Sequence, residues 1–441
     1  MLGLGLGLSR QRAAAFGANP AAPGIVQLYL DRVAADGGTA LLSKAEIEAL
    51  LPPDWQNASF LNIPSSRKAG TLYSIIGSDF TVTRPSSAWE FNSGSSLVEI
   101  GSDIAEFNSP NSGFQGVSVV GEITNLIQNS NDVSGSGWIE VNTTTPIADA
   151  FYETAVTGPH FIFSDTSSIS IGSSVTYFAV VESIGGRNVF IRDLNGGPGV
   201  RVDLITGAII APPASGSAYV KNIGNSRWLI TLSFLRVTSN LSRMGIQSLD
   251  GVDFSFLGDV TKGLKIYNSG IFNMANYGSQ VITEGTSITR AKDLATLTGA
   301  GAQIGQVDST VFVKFNASNF GELRTALTID GVEGSLKFQK LANNDISVIL
   351  LNGATTVFSI VISGSLTGLQ KLAVAYSNAG YISSLNGATG ASGTLGDTQP
   401  PLTDITLGAD STNTLHWNDT IATVALWKVA KDQTQINEMT A

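Results

Sequence analysis

Short runs rich in Val, Ile, Thr, Leu and aromatic residues occur along most of the chain. Examples are residues 175–181, 228–235 and 264–267, and Gly, Asn, Asp and Ser separate such runs. Runs of this length, with turn residues about every eight to twelve positions, are typical of antiparallel sandwiches and barrels and not of alternating strand–helix units. The pattern predicts an all-β protein.

A second set of runs follows a stretch of small and polar residues at 298–309. The runs occupy residues 311–315, 335–338, 346–350, 356–361, 371–376 and 422–427. Six or more strands in this space predict one sandwich. We therefore predict two tandem, jelly-roll-like β-sandwich domains, at residues 121–299 and 306–441. A short mixed N-terminal adapter segment (1–66) and a β-rich connecting segment (67–120) precede them.

Helix signals are confined to the two ends of the chain. Ser43 and Glu46 have the spacing of a capping box, and Asp432 with Gln435 repeats it near the C-terminus. Residues 25–30 are apolar in a way that predicts a short strand. The helix after Ser43 is then expected to be the only one before the C-terminus.

Composition excludes several kinds of chemistry. The chain has no cysteine, which excludes disulfides, thiolate zinc sites, iron–sulfur clusters and a cysteine nucleophile. Two histidines cannot build a three-histidine metal site, and no metal or cofactor is expected. With 25 Lys and Arg against 35 Asp and Glu, nucleic acid is not an expected partner.

The first eight residues alternate Leu and Gly after Met1, with no basic residue before them. This stretch is far shorter than a membrane span and lacks the charged start of a signal peptide. We expect no membrane insertion. The segment either frays or orders against a partner.

Sequence motifs for catalysis are missing. The chain has no nucleophile elbow, no phosphate loop and no Glu-x-Asp-x-x-Glu strand. We predict no enzymatic activity, although a glycosidase with carboxylates on distant strands stays open. Acidic turns such as the one at Asp250 and Asp253 offer oxygen ligands for calcium, but Asp-Gly is first of all a turn dipeptide.

Aromatic residues in polar surroundings are the candidates for glycan binding, because sugar C–H faces stack on flat rings. His416 and Trp417 belong to a polar, turn-like tetrapeptide, and Trp89 lies in a mixed segment. Trp228 and Trp427 lie in apolar runs and are expected in the core. His160 precedes an apolar run and is expected to be a hydrogen-bonded structural residue.

Several segments in a fixed order carry a family resemblance. Residues 70–74 (GTLYS), 79–84 (DFTVTR) and 86–88 (SSA) lead to residues 121–127 (GEITNLI), and residues 284–297 (EGTSITRAKDLATL) close the region. This order resembles tailed-bacteriophage virion surface proteins, in which a carbohydrate-binding-like β-sandwich lies between such segments. Pro85 and Lys292 depart from the family pattern, as does the pair Tyr267 and Asn268 before the closing segment.

The end of the chain, residues 421–428 and 432–440, is similar to the end of the laminin-G/concanavalin-like module that often follows in the same proteins. The resemblance implies a fibre or spike on the virion surface, attached to other virion proteins through residues 1–66. It also implies a homo-oligomer, with a trimer favoured, that contacts host-surface polysaccharide. A purely structural decoration or connector protein and a glycan-depolymerising spike are the alternatives.

Overall fold

A computed structural model describes residues 23–91, 97–107, 116–164, 167–237, 241–273, 281–317, 323–364, 366 and 368–441. Strands make up 51% of the described residues and helices 8%. The predicted all-β, sandwich-type fold is therefore confirmed.

One sandwich, called here the scaffold sandwich, consists of a ten-stranded and an eight-stranded sheet. The ten-stranded sheet has the order β1 (Thr39–Ala40), β3 (Ser66–Lys68), β4 (Thr71–Leu72), β5 (Phe80–Thr83), β28 (Leu294–Leu297), β37 (Asp404–Leu407), β30 (Arg324–Asp330), β31 (Gly334–Lys340), β32 (Ile346–Asn352), β33 (Thr355–Ile362). The eight-stranded sheet has the order β36 (Ala388–Gly393), β35 (Gly380–Leu385), β34 (Gly368–Ser377), β29 (Ser309–Ala317), β38 (Asp419–Trp427), β9 (Val117–Val119), β8 (Glu106–Phe107), with β2 (Phe60–Asn62) also paired to β38.

Strands from both ends of the chain meet in the scaffold sandwich. Strand β5 pairs with β28 and strands β2 and β9 pair with β38, all antiparallel. Strands from the ranges predicted as adapter and connecting segments thus complete the sheets of the C-terminal sandwich. The chain between β9 and β28 forms a second sandwich, the inserted sandwich.

The inserted sandwich also has two main sheets. Its eight-stranded sheet has the order β12 (Thr143–Ile147), β13 (Ala150–Glu153), β26 (Gly263–Phe272), β17 (Ser174–Ile184), β22 (Arg227–Leu235), β21 (Ser217–Gly224), with β10 (Ile123–Asn125) paired to β26 and to β27 (Ile288–Arg290). Its six-stranded sheet has the order β11 (Trp138–Val141), β15 (His160–Ser164), β24 (Met244–Leu249), β18 (Asn188–Asp193), β19 (Gly199–Val202), β20 (Ile209–Ala211).

Three two-stranded ribbons complete the strand pairing, namely β6 (Ala88–Phe91) with β7 (Leu97–Ile100), β14 (Thr157–Gly158) with β25 (Phe256–Leu257), and β16 (Ser167–Ser168) with β23 (Leu241–Ser242). Short 3₁₀ turns occur at Trp55–Asn57 and Ala300–Ala302.

Each sandwich has its own apolar core between its sheets. In the inserted sandwich, Ile162, Ile191 and Ile246 of the six-stranded sheet pack against residues such as Tyr177 and Leu232 of the other sheet. Because strand residues alternate between faces, the neighbours of Ile162 and Ile191 in sequence point away from this core. That alternation positions the candidate site described below.

Helices cover the outer face of the scaffold's eight-stranded sheet. They are α1 (Pro23–Ala35), α2 (Lys44–Glu48) and α3 (Gln433–Thr440). Residues 25–30, predicted as a strand, lie in α1, so that prediction is wrong, as is the prediction of a single helix before the C-terminus. Val26, Tyr29 and Val33 recur at helical spacing and pack in one cluster with Trp427 and Ile436. The segment forms a helix because helical spacing places its apolar side chains on the one face that is buried against this sheet.

Both predicted capping boxes are confirmed. Ser43 with Glu46, and Asp432 with Gln435, form complete capping boxes at the starts of α2 and α3. Strands β32 and β33 form a tight hairpin in which Gly353 has φ 55°, a left-handed conformation that glycine adopts without a side-chain penalty. Among the described residues, no helix is long and apolar enough to cross a membrane.

Candidate ligand-binding site

The sequence-predicted glycan residues lie mainly in the interior. Trp417 is 1% exposed, donates its indole N–H to the Asn316 carbonyl at 3.0 Å, and packs edge-to-face on Phe315. His416 is 4% exposed. Stacking of a sugar on these two residues would need exposed rings, and both are buried because Trp417 packs into the scaffold core. Trp89 lies half-buried on β6.

Three residues of the family-like segments and Glu106 form a buried ion network where the inserted sandwich joins the scaffold. We call Arg84, Glu106, Arg290 and Asp293 the junction network. Arg290 contacts Asp293 at 2.8 Å and Glu106 at 2.9 Å, and Arg84 contacts Asp293 at 3.2 Å. All four residues are at most 6% exposed. The segments therefore carry an internal structural connection.

Electrostatic compensation keeps Arg290 charged. Burial alone would lower the pKa of Arg290, but Asp293 and Glu106 outweigh that effect and raise it. Asp293 also accepts the Val120 backbone N–H at 2.9 Å, which ties the chain entering the inserted sandwich to the chain leaving it. The two arginines and the two carboxylates of the junction network balance each other in charge, so the network does not favour binding of a charged ligand.

The outer face of the six-stranded sheet has a different character. On β15, β18 and β19 the residues facing away from the core are aromatic or cationic, and we call this set the arginine–aromatic face: Phe161, Phe163, Phe190, Arg192 and Arg201.

Strand register places these residues side by side. Phe161, Gln247, Phe190 and Arg201 are paired in succession across four neighbouring strands. Phe163 and Arg192 flank Gly245 in the next row. Neighbouring strands lie about 4.8 Å apart, so the first row spans roughly 14 Å. Gly245 adds no side chain between Phe163 and Arg192, and the Leu194 side chain packs against that position.

The guanidinium groups lie over the rings. Arg192 Cζ is 5.3 Å from the ring centroids of both Phe161 and Phe190, and Arg201 Cζ is 5.1 Å from that of Phe190. Such contacts orient the planar cations without neutralising them. Each arginine therefore keeps its charge and its hydrogen-bond donors.

Within the described part of the chain, neither Arg192 nor Arg201 forms an ion pair with a carboxylate. The Nε of Arg192 is buried and has no hydrogen-bond partner there. Burial and the neighbouring charge of Arg201 both lower the pKa of Arg192. An anion at this face would relieve both effects, so the chemistry of the face favours a negatively charged ligand.

A loop between β24 and β25 forms one wall of this face. Phe254 in the loop is 50% exposed, and Arg201 Cζ lies 5.4 Å from its ring centroid. The Phe254 carbonyl accepts a hydrogen bond from Gln247 Nε2 at 2.6 Å. Arg201 is thus held between the rings of Phe190 and Phe254.

Sequence reasoning missed this site. In the runs at residues 188–193 and 199–202, Arg192 directly follows Ile191, and Arg201 lies between Val200 and Val202. This alternation of cationic and apolar residues is the signal of a strand with a cationic outer face. The pairing of two such strands, and the ring stacking, depend on register that no local pattern gives.

The carboxylate of Asp410, in another acidic turn, is occupied by protein contacts. Asp410 accepts hydrogen bonds from Thr412, Thr414 and the Leu415 backbone. Burial opposes these bonds, but they lower the pKa of Asp410 to about 2. Across the described ranges, no group of three or more His, Cys, Asp or Glu residues could hold a metal ion.

Comparison with known proteins gives fold-level likenesses to a part of the chain. No family model and no curated protein matches the sequence. The CBM40 module of the Ruminococcus gnavus IT-sialidase, solved bound to α2,3-sialyllactose, is 10% identical and matches 31% of this chain and 84% of its own length, with a TM-score of 0.25.

Two further solved structures match a similar share of this chain. The NanB sialidase of Streptococcus pneumoniae is 14% identical over 32% of this chain, with a TM-score of 0.27, and the match spans only 26% of that protein. The heptameric SAP-like pentraxin of Limulus polyphemus is 10% identical and matches 30% of this chain and 70% of its own, with a TM-score of 0.25.

Proposed function

We propose that this chain is a non-enzymatic attachment protein of a bacteriophage virion surface whose inserted sandwich binds an acidic polysaccharide of the host surface. The observation that carries the binding part is the arginine–aromatic face, where Arg192 and Arg201 have no carboxylate partner in the described residues. The two guanidinium groups lie against the Phe161 and Phe190 rings of the face and against the Phe254 ring of its wall.

The chemistry of the face suits a charged sugar. A guanidinium presents parallel N–H donors that match the two oxygens of a carboxylate or the oxygens of a sulfate or phosphate ester. The ring faces of Phe161 and Phe163 lie beside these donors and offer apolar contact to sugar C–H groups. A neutral sugar would use the rings and leave the arginines unpaired.

A shallow, half-exposed site gives weak binding to each chain. Repetition of the site on a multimeric particle converts weak contacts into strong adhesion, because later contacts become intramolecular. This requirement fits the virion-surface location, the trimeric state and the virion partners of residues 1–66 that the family-like segments imply.

The binding proposal is tested with the full chain. Affinity for a carboxylated polysaccharide, such as hyaluronate, is measured beside uncharged dextran by biolayer interferometry. We expect binding to hyaluronate alone, with at least a tenfold loss in the Arg192→Ala/Arg201→Ala double variant, since each charged hydrogen bond contributes about 1.5–3 kcal/mol. Lys44→Ala, which removes one charge from α2, is the matched control. Equal binding by wild type and double variant would refute the site.

Two further measurements address the rest of the proposal. Incubation of the protein with the bound polysaccharide should leave its chain length unchanged by size-exclusion chromatography. Antibodies to the inserted sandwich should label the surface of intact particles. A fall in polymer size would support the depolymerising alternative, and absence of the chain from purified particles would remove the virion role.

A further inference from the structure

The wall of the arginine–aromatic face formed by Phe254 is connected to a buried histidine. Two residues beyond Phe254, the Phe256 carbonyl lies 3.2 Å from His160 Nε2. The His160 ring also packs against the Phe256 ring at a centroid distance of 4.9 Å. His160 is fully buried, so the loop is fastened from the inside of the sandwich.

Both ring nitrogens of His160 face carbonyl oxygens. Nδ1 is 2.7 Å from the Asn142 carbonyl, and Nε2 faces that of Phe256. Carbonyl oxygens only accept hydrogen bonds, and a neutral imidazole carries a single N–H. Both bonds therefore exist together only in the imidazolium form. The shorter bond, to Asn142, is the one that a neutral ring would keep.

The charged groups around this point are mainly acidic. Glu153 receives two hydrogen bonds from Arg187 at 2.8 Å, one from the Ser248 hydroxyl and one from the Asp259 backbone N–H. Burial alone would raise the pKa of Glu153, but these bonds lower it.

Arg187 also pairs with Asp250 at 2.5 Å and lies 4.6 Å from the Phe256 ring centroid. The carboxylates of Glu153, Asp250 and Asp259 thus surround one guanidinium, and that guanidinium lies over the Phe256 ring that packs against His160.

We propose that His160 is a pH-sensitive positioning residue for the ligand-binding face. As the imidazolium it holds the Phe256 carbonyl and thereby keeps Phe254 against Arg201. When the ring loses a proton to solvent, the bond to Phe256 is lost and the Phe254 wall loosens. The hydrogen bond from His160 to the Phe256 carbonyl therefore holds Phe254 in place at low pH and is lost as pH rises. Acidic ligands should accordingly bind more tightly at low pH. This consequence for binding rests on the proposed function.

The first test follows the loop without any ligand. Histidine ring ¹⁵N spectra of the full chain contain signals from two residues, and His160→Gln assigns them by the loss of one. We expect both His160 nitrogens to be protonated at pH 5, and the Phe254 and Phe256 backbone amide signals to shift with the same midpoint. A ring that stays neutral from pH 5 to 8, or loop amides that ignore its titration, would overturn the proposal.

The second test measures affinity for dextran sulfate, whose charge is constant from pH 5 to 8. We expect the affinity of wild type to fall about two- to tenfold over this range, because one hydrogen bond contributes a free energy of that size. His160→Gln keeps an amide donor that does not titrate and should give a flat profile. His416→Gln, the same change at the other histidine, should keep the wild-type profile once its fold is verified by circular dichroism.

The outcomes separate the two proposals. If dextran sulfate and hyaluronate fail to bind at every pH while the loop amides follow His160, the proposed function fails and the positioning role stands. If binding occurs and His160→Gln has the same pH profile as wild type, the positioning role fails and the proposed function stands.

Discussion

Two pairs of arginines in this protein have opposite surroundings. Arg84 and Arg290 lie at the junction of the two sandwiches and contact carboxylates within 3.2 Å. Arg192 and Arg201 lie on the outer face of the six-stranded sheet and contact aromatic rings. The first pair has its charge balanced inside the fold, and the second pair has no carboxylate partner among the residues described.

The difference separates structural from ligand-binding arginine. A buried guanidinium needs its carboxylates, because a charge without a partner in a low-dielectric interior is costly. A guanidinium stacked on rings keeps a fixed orientation and free donors, which is an arrangement ready for an anion. The two regions should therefore respond differently to the same substitution.

The largest effect is expected for Arg290→Met. This change leaves Asp293 and Glu106 buried near each other without their shared partner, and we expect the free energy of unfolding to fall by about 3–5 kcal/mol. Urea denaturation followed by tryptophan fluorescence measures it. A loss below about 1 kcal/mol would mean that the junction network contributes little to stability.

A smaller effect, on binding and not on stability, is expected for Arg201. Arg201→Ala should weaken hyaluronate binding about tenfold or more, because a charge-assisted hydrogen bond is lost. Arg201→Lys keeps the charge but loses the planar pair of donors, so its affinity should lie between wild type and the alanine variant. Equal affinity of Lys variant and wild type would show that charge alone is recognised.

Salt should distinguish the two regions further. Raising ionic strength from about 0.05 to 0.5 M shortens the Debye length to a few ångströms, so affinity for hyaluronate should fall several-fold. The destabilisation caused by Arg290→Met should change little, since buried pairs are screened less. Salt-independent binding would indicate that the aromatic rings, and not the arginines, dominate recognition.

The smallest effect is expected for Arg192→Met in the absence of ligand. Burial and Arg201 disfavour the charged form of Arg192, as its lowered pKa indicates. Removing the charge should therefore leave the free energy of unfolding within about 1 kcal/mol of wild type, or raise it slightly. The same urea denaturation compares it with Arg290→Met, and a loss as large as that of Arg290→Met would remove the distinction between the two pairs.

Local patterns were sufficient for the fold class and for several elements. The β runs at 175–181, 228–235 and 346–350 lie in β17, β22 and β32, and both capping boxes form as predicted. These features depend on neighbours within a few residues. The strand predicted at 25–30 is helical because α1 packs on a distant sheet that contains Trp427, and local hydrophobicity does not report that partner.

Candidate ligand residues were harder to predict. Polar neighbours suggested an exposed His416 and Trp417, yet the turn that holds them folds onto the scaffold core. Phe190 and Arg201 looked ordinary in sequence, and they became neighbours through the pairing of β18 with β19. Exposure of a side chain depends on the whole surface around it, which a local window does not contain.

The sequence by itself determined an all-β chain with few charges, no thiols and capped terminal helices, because strand runs, turn residues and caps act over short distances. Only the tertiary structure decided that one sandwich is inserted into the other, and that two arginines without a carboxylate partner in the described ranges share one face with three rings. Strand register and charge compensation connect residues hundreds of positions apart, and those connections exist only once the chain is folded.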